Sequence, residues 1–234
     1  MEKINDGIVS INKTEAEVFY KKYEHLGNCG LGVWHYGYYV DGVLLSVVSF
    51  GTANFNPKRS FIGKIAAAHN VKIIQLTRGG TLYDAPSNTP SKVIALVLKA
   101  IMKRFGNTII IAYSDTKFYE VGTIYQASNF LYLGCTNPKN QSNYIVNGKQ
   151  YTGWTIRKKY GTRNMSTLVN ELELNIKKIT LSEKHQYVYI NTSPLIKKSI
   201  KNCLNYKIKA YPKRDVLQIG SMLDYHKSIG LRKN

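Results

Sequence analysis

Apolar and polar positions alternate along this chain in two rhythms, short strand-like runs and helical repeats, and the two are interleaved from end to end. Residues 14–26 repeat with helical spacing through Ala16, Phe19, Tyr20 and Tyr23. Thr14-Glu15-Ala16-Glu17 suits a capping box, with Thr14 at Ncap and Glu17 at N3. Residues 33–40 and 43–50 predict an antiparallel hairpin, because Asp41-Gly42 between them fits a type I′ turn. Residues 54–70 carry no clear period and read as a looser, basic segment with Lys58, Arg59 and Lys64. Residues 71–77 predict a strand running out into Arg78-Gly79-Gly80. A helix over 92–105 follows, apolar at Val93, Ala95, Leu96, Ala100 and Ile101, with Pro90 near its first position, where a missing N–H is no loss.

The stretch over 107–134 organises the rest. Thr108-Ile109-Ile110-Ile111-Ala112-Tyr113 is continuously apolar, as in a strand covered on both faces. Ser114-Asp115-Thr116 places small polar groups at its exit, where open α/β folds bind ligands. A short helix over 122–129 comes next, stopped at Asn129, a residue that tolerates the left-handed conformation, and a strand begins at Phe130. Beyond it, residues 144–146 and 151–156 flank the hairpin dipeptide Asn147-Gly148. The pattern then predicts helices over 168–179 and 195–204, a strand over 187–190, an extended turn at Tyr211-Pro212-Lys213-Arg214 and a mobile tail over 215–234.

Charge changes the picture more than composition does. With 44% hydrophobic and 12% aromatic residues in 234, there is material for a real core, so wholesale disorder is excluded. The 33 Lys and Arg against 14 Asp and Glu give +19, a field that favours polyanions. From Arg157 onward there are seventeen basic and five acidic residues, so about a third of the chain carries twelve of the nineteen charges. No apolar run approaches the roughly 18–20 residues needed to span a bilayer, and Met1-Glu2-Lys3-Ile4-Asn5-Asp6 does not look like a signal peptide. Nucleic acid is therefore the leading partner. Cys29, Cys135 and Cys203 are odd in number and far apart, which argues against a zinc ribbon or a disulfide framework and suits a reducing cytoplasm. The five histidines, His25, His35, His69, His185 and His226, show no metal-ligand spacing.

Four groups of residues could carry chemistry. The helix opening at Asn88-Thr89-Pro90-Ser91 offers backbone N–H groups and a positive helix end to an anion, and Gly79 and Gly80 let a ligand approach the preceding strand. That combination suits a pyrophosphate such as that of coenzyme A; an ordinary cap and loop is the competing reading. Tyr125 starts a short helix after the site strand and could protonate a leaving thiolate, the alternative being a packed core tyrosine. Asp115 and His25 are titratable candidates, Asp115 to orient or deprotonate an amine and His25 as base or ligand; each also suits a structural role. The fourth is a basic face with interleaved tyrosines: Arg157, Lys158, Lys159, Lys213 and Arg214, with Tyr160 and Tyr211 among them. Lysines there can neutralise phosphates while aromatics stack on unpaired bases.

Tyr125-Gln126-Ala127-Ser128-Asn129-Phe130 resembles the Tyr-x-x-x-x-Phe helix of the GNAT acyltransferases, with Asn129 standing where Gly is usual. A sharper resemblance, to the bacteriophage Mom-like DNA adenine-modification enzymes, a divergent GNAT branch, extends over nearly the whole chain. It rests on Tyr23-Glu24-His25-Leu26-Gly27, Arg78, Asn88-x-x-Ser91, Tyr113-Ser114-Asp115, residues 122–134, Lys184-His185-x-Tyr187 and Tyr211-Pro212-Lys213-Arg214. It implies an α/β (α+β) fold: a GNAT-like mixed, mostly antiparallel sheet flanked by helices over 1–156, and a basic C-terminal α+β extension over 157–234 that grips DNA. The resemblance further implies a cytoplasmic phage enzyme that adds an acetamide-type (carbamoylmethyl) group to adenine N6 and so blocks restriction. Catalysis would fall to Asp115, Tyr125, His25 and Ser114, and an acetyl-CoA-type donor to Arg78, Gly79, Gly80, Asn88, Thr89 and Ser91. Arg78-Gly79-Gly80-Thr81-Leu82-Tyr83 departs from the usual GNAT coenzyme loop, Arg/Gln-x-x-Gly-x-Gly/Ala. A GNAT N-acetyltransferase acting on a protein or RNA amine, and a non-catalytic nucleic-acid-binding protein on the same scaffold, are the alternatives.

Overall fold

A computed structural model describes residues 7–53, 56, 58–137 and 142–214; the expectations for residues 1–6, for His226 and for the tail over 215–234 lie outside the described residues. Seven strands form one sheet: β1 (Gly7–Ile11), β2 (Trp34–Val40), β3 (Val43–Thr52), β4 (Lys72–Thr81), β5 (Thr108–Asp115), β6 (Leu131–Cys135) and a late strand, β10 (Lys184–Asn191). Their spatial order is β1-β2-β3-β4-β5-β10-β6, and every neighbouring pair is antiparallel except β4 and β5. The β2–β3 turn is the expected one, with positive φ at both Asp41 (49°) and Gly42 (76°).

Helices cover both faces. On one, α3 (Thr89–Phe105) presses Val93, Ile94, Val97, Leu98 and Ile101 onto Phe50, Ile74, Ile110, Ala112 and Tyr187. On the other, α2 (Phe61–Ala68) and α6 (Pro194–Leu204) cover Ile109, Ile111, Val188 and Ile190, while α1 (Lys13–Tyr23) packs Phe19 and Tyr20 beside Val47. Ile109 and Ile111 therefore face one layer and Ile110 and Ala112 the other, as the continuous apolar run requires. Each of the three isoleucines, fully buried, contributes about 1.5–3 kcal/mol. A second, three-stranded sheet orders β7 (Ser142–Val146) between β8 (Lys149–Thr152) and β9 (Ile176–Thr180), closed by α5 (Gly153–Tyr160), whose Ile156 packs with Tyr144 and Leu168.

Several expectations differ from the structure. The first helix is capped by Asn12, whose side chain accepts from Glu15 N, so it starts before Thr14. The segment over 54–70 contains α2, begun by Ser60 accepting from Gly63 N. Residues 153–156 belong to α5 rather than to a hairpin arm, because Thr152 accepts from Thr155 N and starts a helix. The helix expected over 168–179 is a π turn (Thr167–Glu171) followed by β9. The change of texture at residue 157 does not end the main sheet, since β10 returns between β5 and β6. No helix among the described residues is long and apolar enough to cross a membrane.

Candidate active site

Strands β4 and β5 pair only where residues 72–75 meet 108–111; past that point β4 continues on β3 and β5 continues on β10. The two strands part, and the sheet opens into a wedge at its centre. Two cavities occupy it. The larger, about 500 Å³, lies toward the start of α3 and is lined by Gly80, Pro90, Ser91 and Ser114 among others. The smaller, about 190 Å³, is lined by Glu24, His25, Arg78, Asp115 and Phe118 on the other side. Leu76, Gly79, Glu120 and Tyr125 line both, so the cavities meet at those four residues. The wedge is open, and a proton donor and a carboxylate stand at its waist.

On the larger side, Gly79, Gly80 and Ser91 lie where the pattern placed a donor, Thr89 is buried, and Asn88 makes no capping hydrogen bond with its side chain. Asn88 instead borders a separate groove between α3 and the short helix α4 (Thr123–Ala127). Ser114, 4% exposed, lines the larger cavity with an Oγ that has no hydrogen-bond partner among the described residues. The lining fits a phosphate-bearing ligand: hydroxyls at Ser87 and Ser114, glycine backbone at Gly79 and Gly80, and the first turn of α3, where the Ser91 hydroxyl already donates to Asn88 O at 3.0 Å.

Arg78, expected among the donor residues, faces the other way. Residues 49 and 50 of β3 oppose residues 78 and 76 of β4, which leaves Thr77 as an extra residue, a β-bulge. One extra residue flips every later side chain to the opposite face. Arg78 therefore reaches the α1 side, where Nε donates to Asn28 O at 3.1 Å and NH1 to Thr77 O at 3.0 Å, with Glu24 Oε2 4.0 Å from Nε. It buttresses the loop that carries His25.

In the smaller cavity, His25 Nδ1 lies 3.1 Å from Glu24 Oε1, and Glu24 Oε2 accepts from Leu26 N (2.8 Å) and Gly27 N (3.1 Å). An N–H at Nδ1 directed to that carboxylate leaves Nε2 as the basic atom of the ring. The ring packs against Phe118 with centroids 4.8 Å apart. Burial lowers the His25 pKa, and the charge of Glu120 is the strongest influence raising it. Burial likewise raises the carboxyl of Glu24. Asp115, a leading expectation, is already engaged: Oδ1 accepts from Ser182 Oγ (2.6 Å) and Lys117 N (3.0 Å), and Oδ2 lies 3.5 Å from Lys184 Nζ. It caps a single 3-10 turn (Thr116–Phe118) and holds β10 to β5.

Glu120 is the residue that sequence reasoning missed. Its Oε2 accepts from Asp115 N at 3.3 Å, and burial pushes its carboxyl up, against the pull of that hydrogen bond and of His25. Left-handed φ values at Tyr119 (56°) and Gly122 (65°) turn the chain on either side of it. Gly122 has to be glycine, since a Cβ there would stand 2.5 Å from Tyr187 Cε2. A lone Glu in a turn between a strand and a short helix carries no spacing signal, and only the fold brings it opposite His25.

Tyr125 rides on α4, with its ring 5.5 Å from that of Phe130 and 5.4 Å from that of Tyr187 and its hydroxyl 3.5 Å from Tyr113 O. Burial, then the charge of Glu120, hold its pKa well above the ordinary tyrosine range, so at neutral pH it carries its proton. Tyr187 donates to Val121 O beneath α4. His25, Asp115, Ser114 and Tyr125 thus converge on one wedge.

The basic candidates divide. Arg157, Lys158 and Lys159 lie exposed in the last turn of α5. Lys158 Nζ sits 5.3 Å over the ring of Trp154, which is 70% exposed. Lys213 is exposed, whereas the Tyr211 hydroxyl donates to Phe130 O at 2.6 Å and anchors its own segment. Arg214 lines the larger cavity. No group of three or more His, Cys, Asp or Glu among the described residues is arranged to hold a metal ion.

Solved structures similar in overall shape include Arabidopsis thaliana NAA60 in complex with acetyl-CoA, 10% identical, with TM-score 0.46, covering 78% of this chain and 97% of that one. Another is a Bacillus subtilis acetyltransferase in complex with CoA, 9% identical, with TM-score 0.43, covering 80% and 99%. In sequence, the methylcarbamoylase mom of Escherichia phage Mu is 26% identical over 185 residues, 76% of this chain and 71% of the phage protein. The sequence model of the Mom protein family matches residues 7–213, a span that holds every residue at the junction of the two cavities, and the chain belongs to that family.

Proposed function

We propose that this protein is a DNA-modifying transferase that adds an acetamide-type (carbamoylmethyl) group to adenine N6. The observation that carries the reading is the meeting of the two cavities at Glu120 and Tyr125, with a phosphate-friendly wall on one side and a proton-accepting cluster on the other. The relative in phage Mu, by its name a methylcarbamoylase, supports the group transferred. A phosphate-bearing donor of the coenzyme A type would be held by Ser87, Ser91, Gly79 and Gly80 and would present a carbamoylmethyl group next to Ser114, its methylene carbon bonding to N6 as it parts from the donor. The adenine enters the smaller cavity extruded from its stack, because its amino group is out of reach inside a duplex.

Adenine N6 is a weak nucleophile, its lone pair being shared with the ring, so the protein has to remove a proton as the new bond forms. His25 and Glu120 take that proton together. Both line the smaller cavity, and the charge of Glu120 favours the protonated ring of His25. Glu24 fixes the ring of His25, and Arg78 fixes the loop. Tyr125, protonated at neutral pH, gives its proton to the departing group. Arg157, Lys158, Lys159 and Lys213 hold the phosphate backbone.

The test is chemical. DNA from cells making the protein is hydrolysed to nucleosides and examined by mass spectrometry, and a deoxyadenosine heavier by one carbamoylmethyl group is expected, with matching resistance of that DNA to restriction. Unmodified adenine from cells that contain folded protein refutes the reading. Acetyl transfer to protein or RNA amines by the purified protein, with adenine untouched, would replace it with the amine acetyltransferase.

A further inference from the structure

Two polar atoms in the larger cavity lack partners among the described residues, Ser114 Oγ and Arg214 Nε, and each belongs to a side chain that lines it. Ser114 comes from the central strand. Arg214 arrives at the end of an extended segment pinned along its length: Lys209 N donates to Tyr132 O at 2.9 Å, the Tyr211 hydroxyl to Phe130 O at 2.6 Å, and Gln126 Nε2 to Pro212 O at 3.2 Å. These bonds tie residues 209–212 to β6, α4 and Phe130 between them and bring Arg214 to the cavity that the start of α3 also lines. A guanidinium keeps its charge at any working pH, and leaving one of its N–H groups buried without an acceptor is costly. Glu120 is the one acidic side chain that also lines this cavity, and no ion pair joins it to Arg214 among the described residues. The cavity thus presents a fixed cation, an unpaired hydroxyl and the positive end of a 17-residue helix, all without an anion of their own.

We propose that Arg214 is a donor-binding residue that pairs with a phosphate group of the donor, held between its guanidinium and the first turn of α3, and that it takes no part in gripping DNA. The proposal rests on the reading of the larger cavity as the donor site. It separates Arg214 from its neighbour Lys213, which is exposed and free to meet a nucleic acid.

Calorimetric titration with coenzyme A, competition by inorganic pyrophosphate, and binding of a fluorescent DNA duplex test this on the full chain and on Arg214→Gln, Arg214→Lys and Lys213→Gln. Arg214→Gln is expected to weaken coenzyme A binding by at least tenfold and to leave duplex affinity within twofold. Arg214→Lys, which keeps the charge but loses the two-pronged geometry, should fall between it and the parent. Lys213→Gln should leave coenzyme A affinity within twofold. Pyrophosphate should displace coenzyme A from the parent and do so less well from the two Arg214 variants. If Arg214→Gln does not fold, as judged by its thermal midpoint, Arg214→Lys carries the same comparison. Parent-like coenzyme A affinity in the Arg214 variants overturns the proposal while the donor reading stands. A loss confined to duplex binding overturns it in favour of a DNA contact. Failure of coenzyme A and pyrophosphate to bind the parent removes the donor reading, and this proposal with it.

Discussion

Glu120→Gln removes one negative charge from the waist between the two cavities and keeps the oxygen that accepts from Asp115 N. That hydrogen bond is long, 3.3 Å, and the amide preserves it, so the change in stability should stay within about 1 kcal/mol. The effect on catalysis should be far larger. Loss of a positioned proton acceptor costs roughly 10²–10⁴-fold in rate, and on the proposed reading Glu120 is one half of the pair that takes the N6 proton. The residual activity has a direction in pH. Burial lowers the His25 pKa, and the charge of Glu120 is the largest influence opposing that, so without it the His25 pKa falls further. A base with a lower pKa stays deprotonated to lower pH, and the acid limb of kcat/KM therefore moves down in pH in the variant. The assay is kcat/KM for modification of an adenine-containing single strand across about pH 5–8, the range in which a histidine charge changes, with a thermal midpoint taken on the same samples. A variant within threefold of the parent at pH 7, with its acid limb unmoved, refutes the pairing of Glu120 with His25.

Tyr125→Phe keeps the ring packed against Phe130 and Tyr187 and removes only the hydroxyl, so kcat should drop by roughly 10²-fold or more with KM and stability nearly unchanged; an unaltered kcat would return Tyr125 to the core. Gly122→Ala combines a left-handed φ of 65° with a Cβ 2.5 Å from the Tyr187 ring, which is held in place by its bond to Val121 O. Strain and overpacking together should cost about 2–4 kcal/mol in urea denaturation, and a loss below about 1 kcal/mol would mean that α4 shifts freely. The double variant Lys158→Gln with Lys159→Gln should lower the slope of log affinity for duplex against log salt by about 1.8, and an unchanged slope would move the DNA contact off α5.

The sheet could be read in advance wherever its causes are local. The continuous apolar run of β5 announces burial on both faces, and Asp41-Gly42 and Asn147-Gly148 are turns because few dipeptides accept two positive φ values. Where two periods coincide, reading fails: Leu168, Leu172 and Ile176 repeat at helical spacing, while Ile176-Lys177-Lys178-Ile179 is chosen as a strand by Tyr144 and Val146 across from it. Strand β1 escapes for a similar reason, since five residues with one partner, β2, carry no period of their own.

At the site the difficulty is sharper, because which cavity a side chain serves depends on neighbours distant in sequence. Arg78 stands beside two glycines and a helix start, and that context places it with the donor. A single extra residue at Thr77, visible only in the pairing with β3, sends it to the opposite face. Arg214 stands in a lysine-rich stretch, and that context places it on DNA, yet three hydrogen bonds to β6, α4 and Phe130 between them bring it to the larger cavity. Each guanidinium thus ends in the cavity that its local sequence argued against. Local sequence reports what a residue is, while the face it serves is set by contacts distant in the chain: a bulge opposite β3 for Arg78 and three hydrogen bonds for Arg214. Tyr125 and His25 could be singled out from chemistry at their own positions, and the fold brings both to the wedge; Glu120, whose place follows from what it is brought to face, could not.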